Sequence, residues 1–96
     1  MGSQVRAHAI ITGRVQGVCF RAETCKAVEK FQVSGWVRNR RDGSVEAVFE
    51  GDEADVKAAL VWCGKGPLLS KVDRVDVVWE PYSGDFHTFE VVYSRP

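Results

Sequence analysis

Polar and apolar residues alternate loosely over Val5-Arg6-Ala7-His8-Ala9-Ile10-Ile11, which predicts a strand. From about residue 21 to residue 31 the period changes. Ala22, Cys25, Val28 and Phe31 recur at helical spacing with charges between them. Ser34-Gly35 closes that helix and opens a second strand over residues 36–39. Asp42-Gly43 is a hairpin signal, after which Val45, Ala47 and Phe49 alternate with Ser44, Glu46 and Glu50. Gly51-Asp52 punctuates, with Asp52 expected as a helix N-cap rather than a catalytic acid. Val56, Ala59, Leu60 and Cys63 fall at i, i+3, i+4 and i+7, a helix with one buried stripe, and residues 64–67 stop it. Val75, Val77 and Trp79 alternate with Asp76 and Val78 in a fourth strand. After a loop at 81–84, Phe89, Val91 and Tyr93 alternate with Glu90, Val92 and Ser94 in a last one.

The order is strand, helix, strand, strand, helix, strand, with an extra break around residues 80–88. Right-handed crossovers fold it into an α+β, ferredoxin-like βαββαβ sandwich, an antiparallel sheet with two helices on one face. The other face then carries Trp36 or Val48 toward solvent. Hairpin register matters here. A two-residue turn at Asp42-Gly43 puts Arg38 and Arg40 on the face of Val45, Ala47 and Phe49, and burying two arginines there is very costly. A three-residue loop, Arg41-Asp42-Gly43 with Gly43 left-handed, avoids this. It sets Val37 opposite Ala47 and Asn39 opposite Val45, with Asn39 at the strand's end beneath the start of the first helix, beside Arg21.

Composition narrows the class. The chain has 96 residues, 45% of them hydrophobic, which makes one small domain over residues 1–96. Residues 1–4 are expected to stand outside the fold. Thirteen basic and thirteen acidic side chains cancel, so charge gives no reason to expect nucleic acid or an anionic membrane as partner. No apolar run approaches the ~20 residues of a membrane helix, and the N-terminus lacks a signal peptide's basic and apolar regions. Three cysteines without framework spacing suggest a reducing compartment, the cytoplasm by default. A monomer is expected.

The run Gly13-Arg14-Val15-Gln16-Gly17-Val18-Cys19-Phe20-Arg21 lies between the first strand and the first helix. A glycine-bracketed turn at that place aims several main-chain N–H groups into one concavity, reinforced by the helix dipole, and such a nest binds anions. Arg21 adds a permanently charged planar fork that matches two phosphate oxygens. Asn39 both donates and accepts, so it can hold a water in line with a phosphoryl group without deprotonating it. No carboxylate–histidine cluster suggests a metal site, and neither His8 nor His87 has a motif around it. Without a metal or general acid the leaving group must depart unaided. A carboxylate can, because its conjugate acid has a pKa near ~4, whereas an alkoxide cannot. Acyl phosphates therefore fit this equipment, and sugar phosphate monoesters fit it poorly.

At these residues the chain resembles the acylphosphatase family. That family carries G-x-V-Q-G-V-x-F-R in its first loop and G-W-V-x-N with a following x-G-x-V turn in the second strand. Here these are residues 13–21 and 35–45. Val72-Asp73-Arg74-Val75, Trp79 and Phe89-Glu90-Val91 resemble the family's C-terminal half. The resemblance implies hydrolysis of a carboxyl-phosphate bond by direct attack of water, without metal, cofactor or phosphoenzyme. The substrate is then a small acyl phosphate, with inorganic phosphate as product and inhibitor. It carries phosphate binding to Arg21 and water orientation to Asn39. Residues 15–20 (Val15, Gln16, Gly17, Val18, Cys19 and Phe20) become a main-chain phosphate cradle, and Ser44 has a supporting role.

Blander readings compete. Gln16 and Phe20 shape the loop rather than touch substrate. Arg14, Arg38, Arg40 and Arg41 form a solvated basic rim that also steers anions. Cys19 as a nucleophile would need an arginine several residues on, not two. Cys25 and Cys63 read as small core hydrophobes; a Cys19–Cys25 disulfide is allowed but nothing demands it. The tryptophans read as packing residues. A non-catalytic anion-binding or regulatory domain is the alternative function. RNA binding would need a basic-aromatic motif that is absent.

Overall fold

The computed structural model describes residues 3–94. Its elements are β1 (Gln4–Arg14), α1 (Phe20–Val28) continued by a 3-10 turn (Glu29–Phe31), β2 (Ser34–Asn39), β3 (Val45–Asp52), α2 (Glu53–Lys65), β4 (Lys71–Glu80) and β5 (Phe89–Val91). The strands form one sheet in the order β4-β1-β3-β2-β5. α2 covers β1, β3 and β4, while α1 covers β2 and β5 and touches α2. Between helices and sheet lies the core, with Ala7, Ile11, Val37, Val45, Ala47 and Phe49 from the strands, Phe20 and Val28 from α1, and Val56, Ala59 and Cys63 from α2. This is the α+β, ferredoxin-like sandwich expected.

Three details depart from the sequence-based expectation. First, the sheet is mixed rather than wholly antiparallel, because β5 pairs parallel with β2. Residues 81–88 carry the chain from one edge of the sheet to the other, where it runs in the direction of β2. Second, Trp36 and Val48 do not face solvent; they are 4% and 0% exposed. The crossing segment lies over their face and is tied to Glu50 at Ser83 and Gly84, and His8 packs edge-on against Trp36 at 6.3 Å. Third, the inward face of α1 is Phe20, Thr24, Ala27 and Val28, with Ala22 exposed and Cys25 and Phe31 only partly buried. The helix starts one residue earlier than expected. Phe20, the bulkiest apolar side chain of its first turn, sets the phase by packing on Trp62 at 5.6 Å. Thr24 is tolerated inside because its hydroxyl donates to Phe20 O at 2.7 Å.

The polar face of the sheet is densely paired. The side chain of Glu50 is fully buried. It accepts from Ser83 N at 2.9 Å, Ser83 Oγ at 2.8 Å, Gly84 N at 3.1 Å and Arg6 Nη1 at 3.2 Å. Arg6 also reaches Glu80 at 2.9 Å. His8 sits between Glu80 at 3.0 Å and Glu46 at 2.5 Å, and Arg38 Nε donates to Glu46 at 2.7 Å. Burial pushes the Glu50 and Glu46 carboxyls up, but these bonds outweigh it and hold both below the usual carboxylate range. The bond from His8 leads the same downward effect at Glu80.

At the ends of the strands, Asp52 stands at the N-cap of α2, but its side chain makes no cap bond. Glu53 N donates instead to Ser3 O at 2.8 Å, and Gln4 pairs with Asp52 in the sheet. Residues 1–4, expected outside the fold, therefore divide: Ser3 and Gln4 belong to it, and Met1 and Gly2 lie outside the described residues. The hairpin has the anticipated register, Val37 opposite Ala47 and Asn39 opposite Val45. Arg40 N donates to Ser44 O at 2.8 Å across the turn, whose Gly43 has φ 93°.

Candidate active site

β1 runs past its expected end at Ile11 to Arg14, with a register shift between Thr12 and Gly13. Gly13 has φ 124°, and a Cβ there would stand 2.1 Å from Lys71 O, so the close approach of β4 admits only glycine. The chain then turns through residues 15–19 into α1. Val15, 1% exposed, roots the turn in the core. Gln16 folds its amide outward from the loop, and its Nε2 donates to Arg40 O at 2.7 Å and Ser44 O at 2.9 Å. One side chain thus fastens the loop to the β2–β3 turn. That turn is itself braced by Asp42 Oδ1, which accepts from Ser44 N at 2.9 Å and Ser44 Oγ at 2.6 Å. These bonds, that from the Ser44 hydroxyl first, pull the Asp42 carboxyl below its ordinary range.

The turn closes at Cys19, a left-handed residue with φ 62° and ψ 24° at the N-cap of α1. A non-glycine residue in this region is strained and persists only where its surroundings fix it. Glu23 N donates to Cys19 O at 3.0 Å, yet none of the described main-chain hydrogen bonds takes its donor from residues 16–22. Those N–H groups include the orphan donors of the first helical turn, whose dipole is positive at this end.

A cleft of about 470 Å³ opens here. Val15, Gly17, Cys19, Phe20 and Arg21 form one wall with Ala22, and Asn39, Val91 and Tyr93 form the other. Arg21 and Asn39, eighteen positions apart in sequence, thus line one cavity. Gln16 and Val18 do not line it. The amide of Gln16 is committed to the hairpin, and the side chain of Val18 packs against the core. Asn39 Oδ1 is buried and has no hydrogen-bond partner among the described residues, an arrangement native proteins seldom leave without a ligand or water to meet it. Arg21 has no acidic partner among the described residues; its Cζ lies 5.5 Å from the centroid of the Tyr93 ring.

Ala22, Val91 and Tyr93 were missed as cleft residues. Alternation of Phe89, Val91 and Tyr93 put them on one face of the last strand, and that face meets α1; only the position of β5 at the sheet edge, next to β2, was needed to find them. A larger cleft of about 550 Å³, at the Gln4 end of the sheet, has Trp79 and Tyr82 in its walls and none of the expected residues. All three thiols are free, and burial pushes Cys63 up to about 12. Among the described residues no group of three His, Cys, Asp or Glu side chains could hold a metal ion, and no helix is long and apolar enough to cross a membrane.

The fold is thus an α+β sandwich in which loop N–H donors, a guanidinium and a carboxamide oxygen, all without partners among the described residues, surround one cleft. The chain belongs to the acylphosphatase family, whose model matches residues 7–91. It is 45% identical over 91 residues to an acylphosphatase of Pelotomaculum thermopropionicum, covering 95% of this chain and 99% of that one. To an acylphosphatase of Chloroflexus aurantiacus it is 51% identical, over 93% of this chain and 97% of the other. Its fold superposes on the crystal structure of the Bacillus subtilis acylphosphatase with a TM-score of 0.89 at 35% identity, covering 93% and 99% of the two chains.

Proposed function

We propose that this protein hydrolyses the carboxyl-phosphate bond of small acyl phosphates, with Arg21 and the main-chain N–H groups of residues 15–20 holding the phosphoryl group and Asn39 aiming the attacking water. Charge on the phosphoryl oxygens is met by the fork of Arg21 and by the loop donors at the positive end of α1. Asn39 Oδ1 accepts a hydrogen bond from the water and turns its lone pair toward phosphorus. As the new P–O bond forms, the bond from phosphorus to the acyl oxygen breaks and its electron pair leaves with the carboxylate. The water's protons end on phosphate and solvent. Because a carboxylate is a good leaving group, no side chain has to protonate it. The basic residues near the hairpin turn raise the local concentration of anionic substrate.

One observation carries this reading: Arg21 and Asn39 Oδ1, neither with a partner for its charge or lone pair among the described residues, share a cavity. Its test is hydrolysis of acetyl or benzoyl phosphate by the purified chain with chelator present. Turnover is expected. Arg21→Ala is expected to lose both turnover and inorganic phosphate binding, and Asn39→Ala to lose turnover while still binding phosphate. Activity surviving in both variants contradicts the assignment. Membership of the acylphosphatase family does not favour the alternative of a regulatory domain without turnover. Three unpaired thiols fit a reducing compartment such as the cytoplasm, and nothing in the proposed chemistry requires a second subunit.

A further inference from the structure

We propose that the free edge of β4 is an interaction surface for a second copy of this chain, the two β4 strands pairing antiparallel about Val77 so that two five-stranded sheets become one. β4 ends the sheet, and beyond its ladder to β1 none of the described main-chain hydrogen bonds involves residues 71–80. Such an edge offers a row of N–H and C=O groups to any strand that fits it, and proteins ordinarily blunt it with proline, lysine or a bulge. Here those devices stand only at the two ends. The ladder to β1 skips Asp73, between Lys71-Val72 and Arg74, and Pro81 follows Glu80. Residues 74–80 between them contain none. The apolar surface gathers in the same place. Among the described residues the exposed large apolar side chains are Tyr93, in the cleft, and Val61, Leu68, Leu69, Val78, Trp79 and Tyr82, which belong to α2, β4 and the turns that flank β4. On the strand itself Val78 is 61% and Trp79 50% exposed. A concentration of this kind marks a contact surface.

The strand's own sequence selects the occupant. Val75, Val77 and Trp79 oppose Ile11, Ala9 and Ala7 and share the helix-covered face, while Arg74, Asp76, Val78 and Glu80 share the other. Because side chains alternate, two copies related by a two-fold axis match their faces only when the axis passes through a residue. Centred on Asp76, the pairing sets aspartate against aspartate. Centred on Val78, it sets Asp76 against Glu80. Centred on Val75, it meets the irregularity at Asp73. Centred on Val77, it sets Val77 against Val77, Val75 against Trp79 and Arg74 against Glu80. That register places apolar pairs on one face and opposite charges at both ends. Arg74 gives Asp76 only its Nε, and none of the described bonds takes its other donors. The cleft lies toward the far edge of the sheet, where β2 and β5 are, so this pairing leaves both clefts open.

The test is sedimentation equilibrium of the full chain over about a thousandfold range of concentration up to about 1 mM, with amide hydrogen exchange at both extremes. The parent is expected to pass from one copy to two, with exchange slowed within residues 74–80. Val78 opposes Asp76 of the second copy, so the sign of a charge placed there matters. Val78→Asp sets like charges together at two places and is expected to weaken the dimer about tenfold. Val78→Lys meets Asp76 of the second copy and is expected to tighten it about threefold. Both variants are expected to melt like the parent at the lowest concentration, because Val78 is exposed. A parent that remains a single copy throughout overturns the proposal. So does a dimer whose exchange slows away from β4, or one that both charges weaken alike, as an unspecific apolar contact would be.

Discussion

Two arginines of similar depth, Arg38 and Arg21, live under opposite rules. On the polar face of the sheet, Arg38 donates to Glu46, Glu46 meets His8, His8 meets Glu80, Glu80 meets Arg6, and Arg6 meets the buried Glu50. Around Arg21, no acid answers the charge among the described residues, the loop N–H groups donate to no described main-chain acceptor, and Asn39 Oδ1 has no partner. Burying polar groups costs free energy unless they are paired. The first region meets that requirement within the protein and fastens residues 81–88 across the sheet. The second leaves it unmet at one cavity, which is what a site prepared for an anion and a water requires. On the function proposed above, satisfaction marks structure here and its local absence marks the site.

Substitutions should therefore separate activity from stability according to region, and the largest effect is expected at the unpaired one. Arg21→Ala should lower kcat/KM for acetyl phosphate by roughly a thousandfold or more, as removal of an arginine from a phosphoryl-transfer site does. Asn39→Ala should cost roughly a hundredfold or more in kcat. Neither should destabilise the fold, and Asn39→Ala should leave the thermal midpoint level or raised, since it removes a buried acceptor that none of the described residues satisfies. Kinetics and melting curves on the same samples check both halves.

At the paired region the pattern should invert. Glu50→Ala leaves Ser83 N and Oγ and Gly84 N without their acceptor and should cost about 3–5 kcal/mol in urea unfolding. Acid should act on the same groups. Glu46, Glu50 and Glu80 have folded pKa values below their unfolded ones, so their contribution is present above the unfolded value of ~4.3 and is lost as pH falls through the folded values. The thermal midpoint should hold between neutral pH and about pH 5 and fall below about pH 4.3. A flat profile down to pH 3 would remove the paired face from the account of stability. The smallest effect is expected at Gln16, which joins the loop to the hairpin. Gln16→Ala should cost about 1 kcal/mol in unfolding and weaken phosphate binding without abolishing turnover.

How far the sequence reached follows the same division. The loop and hairpin were legible because their signals are local. Gly13, Gly17 and Arg21 stand within one turn of chain, and the cost of burying Arg38 and Arg40 with the core fixed the three-residue turn and hence Asn39. The polar network was not legible, because Glu50 and Ser83 are thirty-three positions apart and neither carries a pattern that names the other. For the same reason Trp36 or Val48 was expected toward solvent: the face they share with Glu50 is crossed by residues 81–88, which also turn the last strand parallel and bring Tyr93 to the cleft. Even α1 shifted in phase, because one buried ring at Phe20 outweighed the weaker spacing of Ala22, Cys25 and Phe31.

The central claim, a phosphate cradle beside an unmet carboxamide, is tested most directly by a crystal structure of the protein with bound inorganic phosphate. The account predicts the ion on the N–H groups of residues 15–20 and the guanidinium of Arg21, with a water held by Asn39 Oδ1 facing phosphorus. Phosphate bound elsewhere on the molecule, or an Asn39 Oδ1 that bonds a protein donor and turns away from the ion, would contradict it.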